Sequence, residues 1–292
     1  LNRYPEPGAP LLRKMLAKKH GLKADNIVIG NGSDELIHYL IQAFCETGSV
    51  VMTFSPSFDM YRILAVANGC EPQIVPLDDR FDIDVKAAAK AAAKASIVFI
   101  AYPNNPTGNC FSRERIASVI KAAKGLVVID EAYHEFSGKT FMNEVKRRNN
   151  VVVMRTFSKA FSLASIRLGY MAAGARICDA VNRVRLPYNV NSLTQAAGIE
   201  ALKAGLPDSV RIIREQRDAM YNILKKHYPV VKSDANFLFL KVQDTAKTKK
   251  SFEKRGISIR MFNEGRLKGY IRITVGKPEE NMEVLRALTK EA

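Results

Sequence analysis

Apolar residues recur along this chain with two different periods. Short runs at residues 27–30, 50–54, 97–101, 126–129 and 151–154, with another at 169–173, have the length and composition of buried strands. Between them, at 11–20, 36–44, 57–68, 84–95 and 112–124, apolar positions return at helical spacing. Strand and helix alternate in this way to about residue 185, which predicts an α/β unit built on a mostly parallel sheet. The pattern then changes. Helical segments at 192–204 and 208–227 lead into strand-like runs at 236–242, 257–260 and 270–274, which predict a smaller α+β unit. The proline-rich start, Leu1 to Gly8, reads as an extended arm. The expected division is an arm at 1–10, a large domain at 11–195 and a small C-terminal domain at 196–292.

Charge changes the picture more than composition does. Lys and Arg number 45 against 29 Asp and Glu, a formal net charge of +16. Such an excess suits a nucleic-acid or membrane partner, or a basic surface around an anion site. The basic clusters at 146–148 and 247–250 are short and carry no interleaved aromatics, which favours the anion site. Neither a nucleic acid nor a membrane is expected as a partner. The four cysteines are far apart and form no Cys-x-x-Cys pair, and the four histidines show no paired ligand spacing. No metal site and no disulfide framework is expected, and the setting expected is reducing and cytoplasmic.

The candidate chemistry lies where the strand-like runs stop. Gly30-Asn-Gly32-Ser33-Asp34-Glu35 joins a strand to a helix, a geometry that offers free N–H groups to a phosphate. An ordinary capped helix accounts for the same residues equally well. Phe58 and Tyr61 stand near the next strand-to-helix junction, where an aromatic either stacks on a flat ligand or fills core. Tyr102-Pro-Asn-Asn105-Pro-Thr-Gly108 is a rigid loop that presents the Asn105 amide. Asp130 directly follows four apolar strand residues, with Tyr133 three positions on, where open parallel sheets build their sites. Lys159 follows the run at 151–154, with Ser158 before it and Arg167 eight residues later, a set that suits a lysine forming a Schiff base beside a bound phosphate. Arg260 and Arg272 each end or interrupt an apolar strand, and point either to solvent or into an anion clamp.

Taken in order, Gly-Asn-Gly-Ser-Asp-Glu, Asn-Asn-Pro-Thr-Gly, Asp-Glu-Ala-Tyr and Ser-Lys with an arginine eight residues on resemble the fold-type-I pyridoxal-phosphate aminotransferases. Leu-Asn-Arg-Tyr-Pro at 1–5, Thr-Phe-Ser-Lys-Ala-Phe at 156–161 and Ile-Arg-Ile-Thr-Val-Gly at 271–276 extend the resemblance over essentially the whole chain. Within that family the set is most similar to the histidinol-phosphate aminotransferases.

The resemblance implies the cofactor pyridoxal 5'-phosphate and a role for each residue. Lys159 would hold the cofactor covalently and later move the proton. Asp130 would pair with the pyridine nitrogen, Asn105 and Tyr133 would bond the ring oxygen, and Phe58 would stack on the ring. Many relatives carry Tyr where Phe58 stands. Gly32, Ser33, Asp34, Ser158 and Arg167 would cradle the phosphate, and Tyr4 would reach the cofactor phosphate of the partner subunit in a homodimer with shared sites. Arg272 and Arg260 would hold the anionic ends of small-molecule substrates, glutamate and a phosphorylated amino alcohol.

An aromatic amino-acid aminotransferase or a threonine-phosphate decarboxylase would share the cofactor residues. An amine-sensing regulator would need a DNA-binding domain, for which no signature is present. The sequence begins at Leu1 rather than Met, whereas relatives of this type carry a segment ahead of Leu-Asn-Arg-Tyr-Pro that covers the site.

Overall fold

The computed structural model describes residues 2–289; Leu1, the first residue of the Leu-Asn-Arg-Tyr-Pro stretch, lies outside them. The strand runs assemble into two sheets. The larger contains β1 (Ile27–Gly30), β2 (Val50–Ser55), β3 (Glu71–Pro76), β4 (Ile97–Ala101), β5 (Leu126–Asp130), β6 (Val151–Thr156) and β7 (Gly169–Ala172). Their order is β1-β7-β6-β5-β4-β2-β3, and only β7 runs against its neighbours. The unbroken apolar runs have a simple cause. Every residue of β4, β5 and β6 is buried, because helices cover both faces of the sheet. Val98 and Ile100 pack into one layer while Ile97, Phe99 and Ala101 pack into the other. Of these, each Val, Ile or Phe side chain is worth about 1.5–3 kcal/mol relative to exposure.

Two strands escaped the sequence pattern. β3 carries Pro72 and Pro76 and only one buried residue, yet pairs in parallel with β2. It is tolerated because it is the last strand of the sheet, where missing N–H groups leave no ladder bond unmade on the open side. β8 (Val230–Val231) is two residues long and too short for any period to register.

The smaller sheet joins β8 to β9 (Phe237–Lys241), β10 (Arg260–Phe262) and β11 (Tyr270–Thr274) in the antiparallel order β10-β11-β9-β8. The strand expected at 257–260 begins where that expectation ends, at Arg260, because only residues 260–262 face β11 in register. One face of this sheet buries Leu238, Leu240, Ile271 and Ile273 against Met220 and Leu224 of the helix Ser209–Leu224 and against Val284 and Leu288. The other turns Phe239 and Tyr270 toward Phe81 of the larger unit, with centroids 5.9 and 5.8 Å away. The expected division at 195/196 falls inside the helix Ser192–Ala204. That helix lies on the larger unit so closely that a Cβ at Gly198 would stand 2.4 Å from Leu168. Ile199, Ala201 and Leu202 of the same helix also pack against the core of the larger unit.

Candidate active site

The carboxyl ends of β1, β2, β4, β5 and β6 lie along one edge of the sheet. Because β7 runs the other way, it starts at that same edge, just after Arg167. A cavity of about 310 Å³ opens there, between this edge and β11. Ten of the expected residues line it: Ser33, Asp34, Phe58, Asn105, Asp130, Tyr133, Ser158, Lys159, Arg167 and Arg272. The topology thus gathers loops up to 239 positions apart, Ser33 to Arg272, around a volume fit for a small ligand.

One end is built for an anion. The helix α2 (Ser33–Phe44) starts at Ser33, with Gly32 in the capping position and no side chain capping it. Neither Ser33 nor Asp34 caps the helix, so its first N–H groups carry no side-chain cap. Gly32 has φ 86°, and a Cβ there would lie 2.7 Å from an Arg167 guanidinium nitrogen. Arg167 is itself left-handed (φ 54°) and donates to Asp34 Oδ2 at 3.3 Å. β7 closes in from behind: a Cβ on Gly169 would stand 2.7 Å from both the Gly32 carbonyl carbon and the Ser33 nitrogen. The Ser158 N–H donates to Thr156 Oγ1 at 3.1 Å, tying the residue before Lys159 to the end of β6.

The centre holds Asp130, 5% exposed. It does not cap a helix. Oδ1 accepts from the Ala132 N–H at 3.1 Å and Oδ2 from the Tyr61 hydroxyl at 2.7 Å. Burial pushes the carboxyl up to about 6, against the pull of these two donors toward ionisation. Tyr61 belongs to α3 (Met60–Ala67), and its role is new here. The sequence marks it only as an aromatic one helical turn after Phe58. The neighbouring Glu131 is fully buried and clamped by Arg155 Nε and Nη2 at 3.0 and 2.8 Å, which pins β5 to β6 beside the site.

Lys159 and Tyr133 face each other, with the amine 5.6 Å from the ring centroid. Burial, and then the charge of Arg272, lowers the lysine's affinity for its proton, while Asp130 and Asp34 oppose the effect. Burial raises the Tyr133 phenol to about 12, so it stays a donor near neutral pH. Arg272 enters the cavity from β11, lies 5.1 Å from the Phe237 ring centroid and donates to Asn105 Oδ1 at 2.5 Å. The loop that carries Asn105 is held by its fully buried neighbour Asn104. That amide donates to the Pro56 carbonyl and Thr107 Oγ1, and accepts from Ser57.

Two expected residues stand elsewhere. Arg260 faces Arg272 across the β10–β11 pair, yet its guanidinium lies over Phe262 in a neighbouring cleft of about 660 Å³. That cleft shares Phe58 with the cavity. Tyr4 is 82% exposed and stacks on Tyr188 at 4.7 Å, on a different surface. Among the described residues no cluster of three or more His, Cys, Asp or Glu could hold a metal ion, and no helix is long and apolar enough to cross a membrane.

The family described as aminotransferase class I and II matches residues 1–288. A histidinol-phosphate aminotransferase of Pyrococcus furiosus is 42% identical over 98% of this chain and 82% of its own length. The crystal structure of the histidinol-phosphate aminotransferase from Clostridium acetobutylicum superposes with a TM-score of 0.90 at 27% identity, covering 100% of this chain and 91% of that one. The enzyme of the same name from Sinorhizobium meliloti, in complex with pyridoxal-5'-phosphate, gives a TM-score of 0.88 at 26% identity over 99% and 82%.

Proposed function

This chain belongs to the aminotransferase class I and II family, and on that premise we propose that it carries pyridoxal 5'-phosphate and transfers an amino group from L-histidinol phosphate to 2-oxoglutarate, and back, in histidine biosynthesis. The observation that carries this reading is the grouping of an uncapped helix start, a buried carboxylate and a lysine of lowered basicity around one small cavity.

The donor set fits the cofactor end to end. The open N-terminus of α2, with Gly32, Ser33, Asp34, Ser158 and Arg167, holds the phosphate. Asp130 meets the pyridine nitrogen and keeps a proton on it, a pairing that in turn favours the ionised carboxyl. The Asn105 amide and the Tyr133 phenol hold the ring oxygen, and Phe58 covers one face. Pyridoxal 5'-phosphate, when bound, supplies an aldehyde that takes up the amino group and a ring that withdraws electrons from the neighbouring carbon. Lys159 anchors that group through its amine, which burial and the charge of Arg272 make less basic. Once the substrate amine takes its place, Lys159 moves the proton from the substrate α-carbon. Arg272 binds the carboxylate of glutamate. Arg260, in the adjoining cleft with Arg62 and Arg266, receives the substrate phosphate. The reading includes a homodimer, supported by the outward-facing Tyr4, and a cytoplasmic setting, supported by four free thiols.

The test is a half-reaction. Cofactor-loaded protein is mixed with L-histidinol phosphate and the visible spectrum followed, with Lys159→Ala as the control. Conversion of the cofactor to its amine form, faster than with L-phenylalanine or L-tyrosine and lost in the variant, is expected. A loaded protein that ignores histidinol phosphate but turns over an aromatic amino acid would move the substrate assignment. Release of carbon dioxide from threonine phosphate would replace the reaction class.

A further inference from the structure

Tyr61 has no exposed surface. Its ring lies parallel to Phe99 of β4, 4.8 Å away at 3°, and meets Phe58 edge-on at 5.4 Å and 82°. These two contacts leave the phenol one direction to point, toward Asp130 Oδ2 at 2.7 Å. Burial and the facing carboxyl both hold the phenol's proton on, so the hydroxyl is the donor in this bond. Asp130 therefore meets two fixed donors, Tyr61 from α3 and the Ala132 N–H from its own loop, which together set the plane of its carboxyl. The other titratable groups around it divide. Asp34 and Glu131 repel its charge, Lys159 attracts it, and Tyr133 shares the cavity wall.

We propose that Tyr61 is a positioning residue for this site. Its hydroxyl orients Asp130 and keeps it ionised, so that the proton between Asp130 and the pyridine nitrogen stays on the ring. The short stretch from Phe58 into the first turn of α3 thus supplies both the aromatic that covers the ring face and the donor that sets the acid at its edge. The inference rests on the reading of the cavity as a pyridoxal-phosphate site. Removing the donor makes the carboxyl more basic, because a hydrogen bond to the charged form favours that form. The proton then shifts toward Asp130 and the ring loses its cationic character.

The test uses Tyr61→Phe, which keeps the ring packing, beside wild type and Asp130→Asn. Cofactor affinity of each apoprotein is measured against pH. The titrations of the free cofactor are common to all three proteins and cancel in the comparison. The wild-type affinity should fall as pH drops through about 6, where Asp130 takes up its proton. In Tyr61→Phe that midpoint should rise by about one unit, the size expected for one bond to a charged group. In Asp130→Asn it should vanish. At neutral pH, ¹⁵N-labelled cofactor on Tyr61→Phe should give a ring-nitrogen signal moved toward unprotonated pyridine. A second measurement keeps a tyrosine ring and hydroxyl at position 61: protein made with 3-fluorotyrosine in a Tyr133→Phe background carries a stronger donor there and should move the midpoint down.

An unchanged midpoint and nitrogen signal in Tyr61→Phe, with Asp130→Asn behaving as described, would overturn the role of Tyr61 alone. Wild-type protein that binds no cofactor, or an Asp130→Asn protein with the wild-type profile, would overturn the cofactor reading as well.

Discussion

Asp130 sits where a carboxylate is hard to keep. Burial raises its pKa from 3.8 to about 6, so the folded protein binds that proton more tightly than the unfolded chain does. The stability tied to this proton is fully present below the unfolded value near 4 and is lost as pH rises through about 6. At pH 7 the ionised group therefore weakens the cofactor-free fold by up to about 3 kcal/mol. Asp130→Asn should stabilise the apoprotein at pH 7, with the gain shrinking toward pH 4, while turnover falls by orders of magnitude. Urea unfolding at the two pH values reads the first effect and steady-state kinetics the second. Asp130 stood out in the sequence because it directly follows four apolar strand residues, and Lys159 because Ser158 precedes it and Arg167 follows eight residues on. The contact between Tyr61 and Asp130 did not stand out. It spans 69 positions, and a tyrosine at helical spacing has no local feature that separates a core ring from a donor.

Elements bring these residues together through close backbone approach. β7 pairs with β1 and β6 at once, and Gly169 faces both Gly30 and Thr156 in register. A methyl group at Gly169 would meet backbone atoms of the anion loop, which have no rotamer to turn away with. Gly169→Ala should lower stability by roughly 1–3 kcal/mol through overpacking. It should also weaken cofactor binding at least about tenfold by displacing the N–H groups of α2; fluorescence titration of the apoprotein measures this. The central strands were readable because burial on both faces makes their sequences uniformly apolar. β3 and β10 were not read correctly, because edge strands are half-exposed and their limits depend on which partner lies alongside.

Across the molecule, a part-buried polar contact ties the N-terminal helix α1 (Pro10–His20) to the sheet. His20 Nε2 lies 2.8 Å from the Tyr170 hydroxyl. Burial, with the charges of Arg155, Lys19, His134 and Lys146, lowers the imidazole to about 3 from 6.5. The unfolded chain thus takes up a proton below pH 6.5 that the folded chain refuses, and the stability tied to neutral His20 drains away as pH falls from 6.5 toward 3. The stability difference between wild type and His20→Gln should fall by about 2 kcal/mol between pH 7 and pH 5, as measured by urea unfolding. A difference that stays constant with pH would mean His20 is protonated in the fold.

Sequence alone determined the α/β order, the strand ends at which polar residues interrupt the apolar runs, and the family these motifs resemble. Each of these is written in neighbouring residues, as a period, a turn or a breach in an apolar run. Tertiary structure decided which of those ends meet. It joined Lys159, Asp130 and Arg272 around one cavity while turning Arg260 into the adjoining cleft, and it assigned the helix Ser192–Ala204 to the larger unit. It also made Tyr61 a partner of Asp130. These outcomes depend on strand order, register and side-chain direction, which arise only when distant segments pack and which no local pattern encodes.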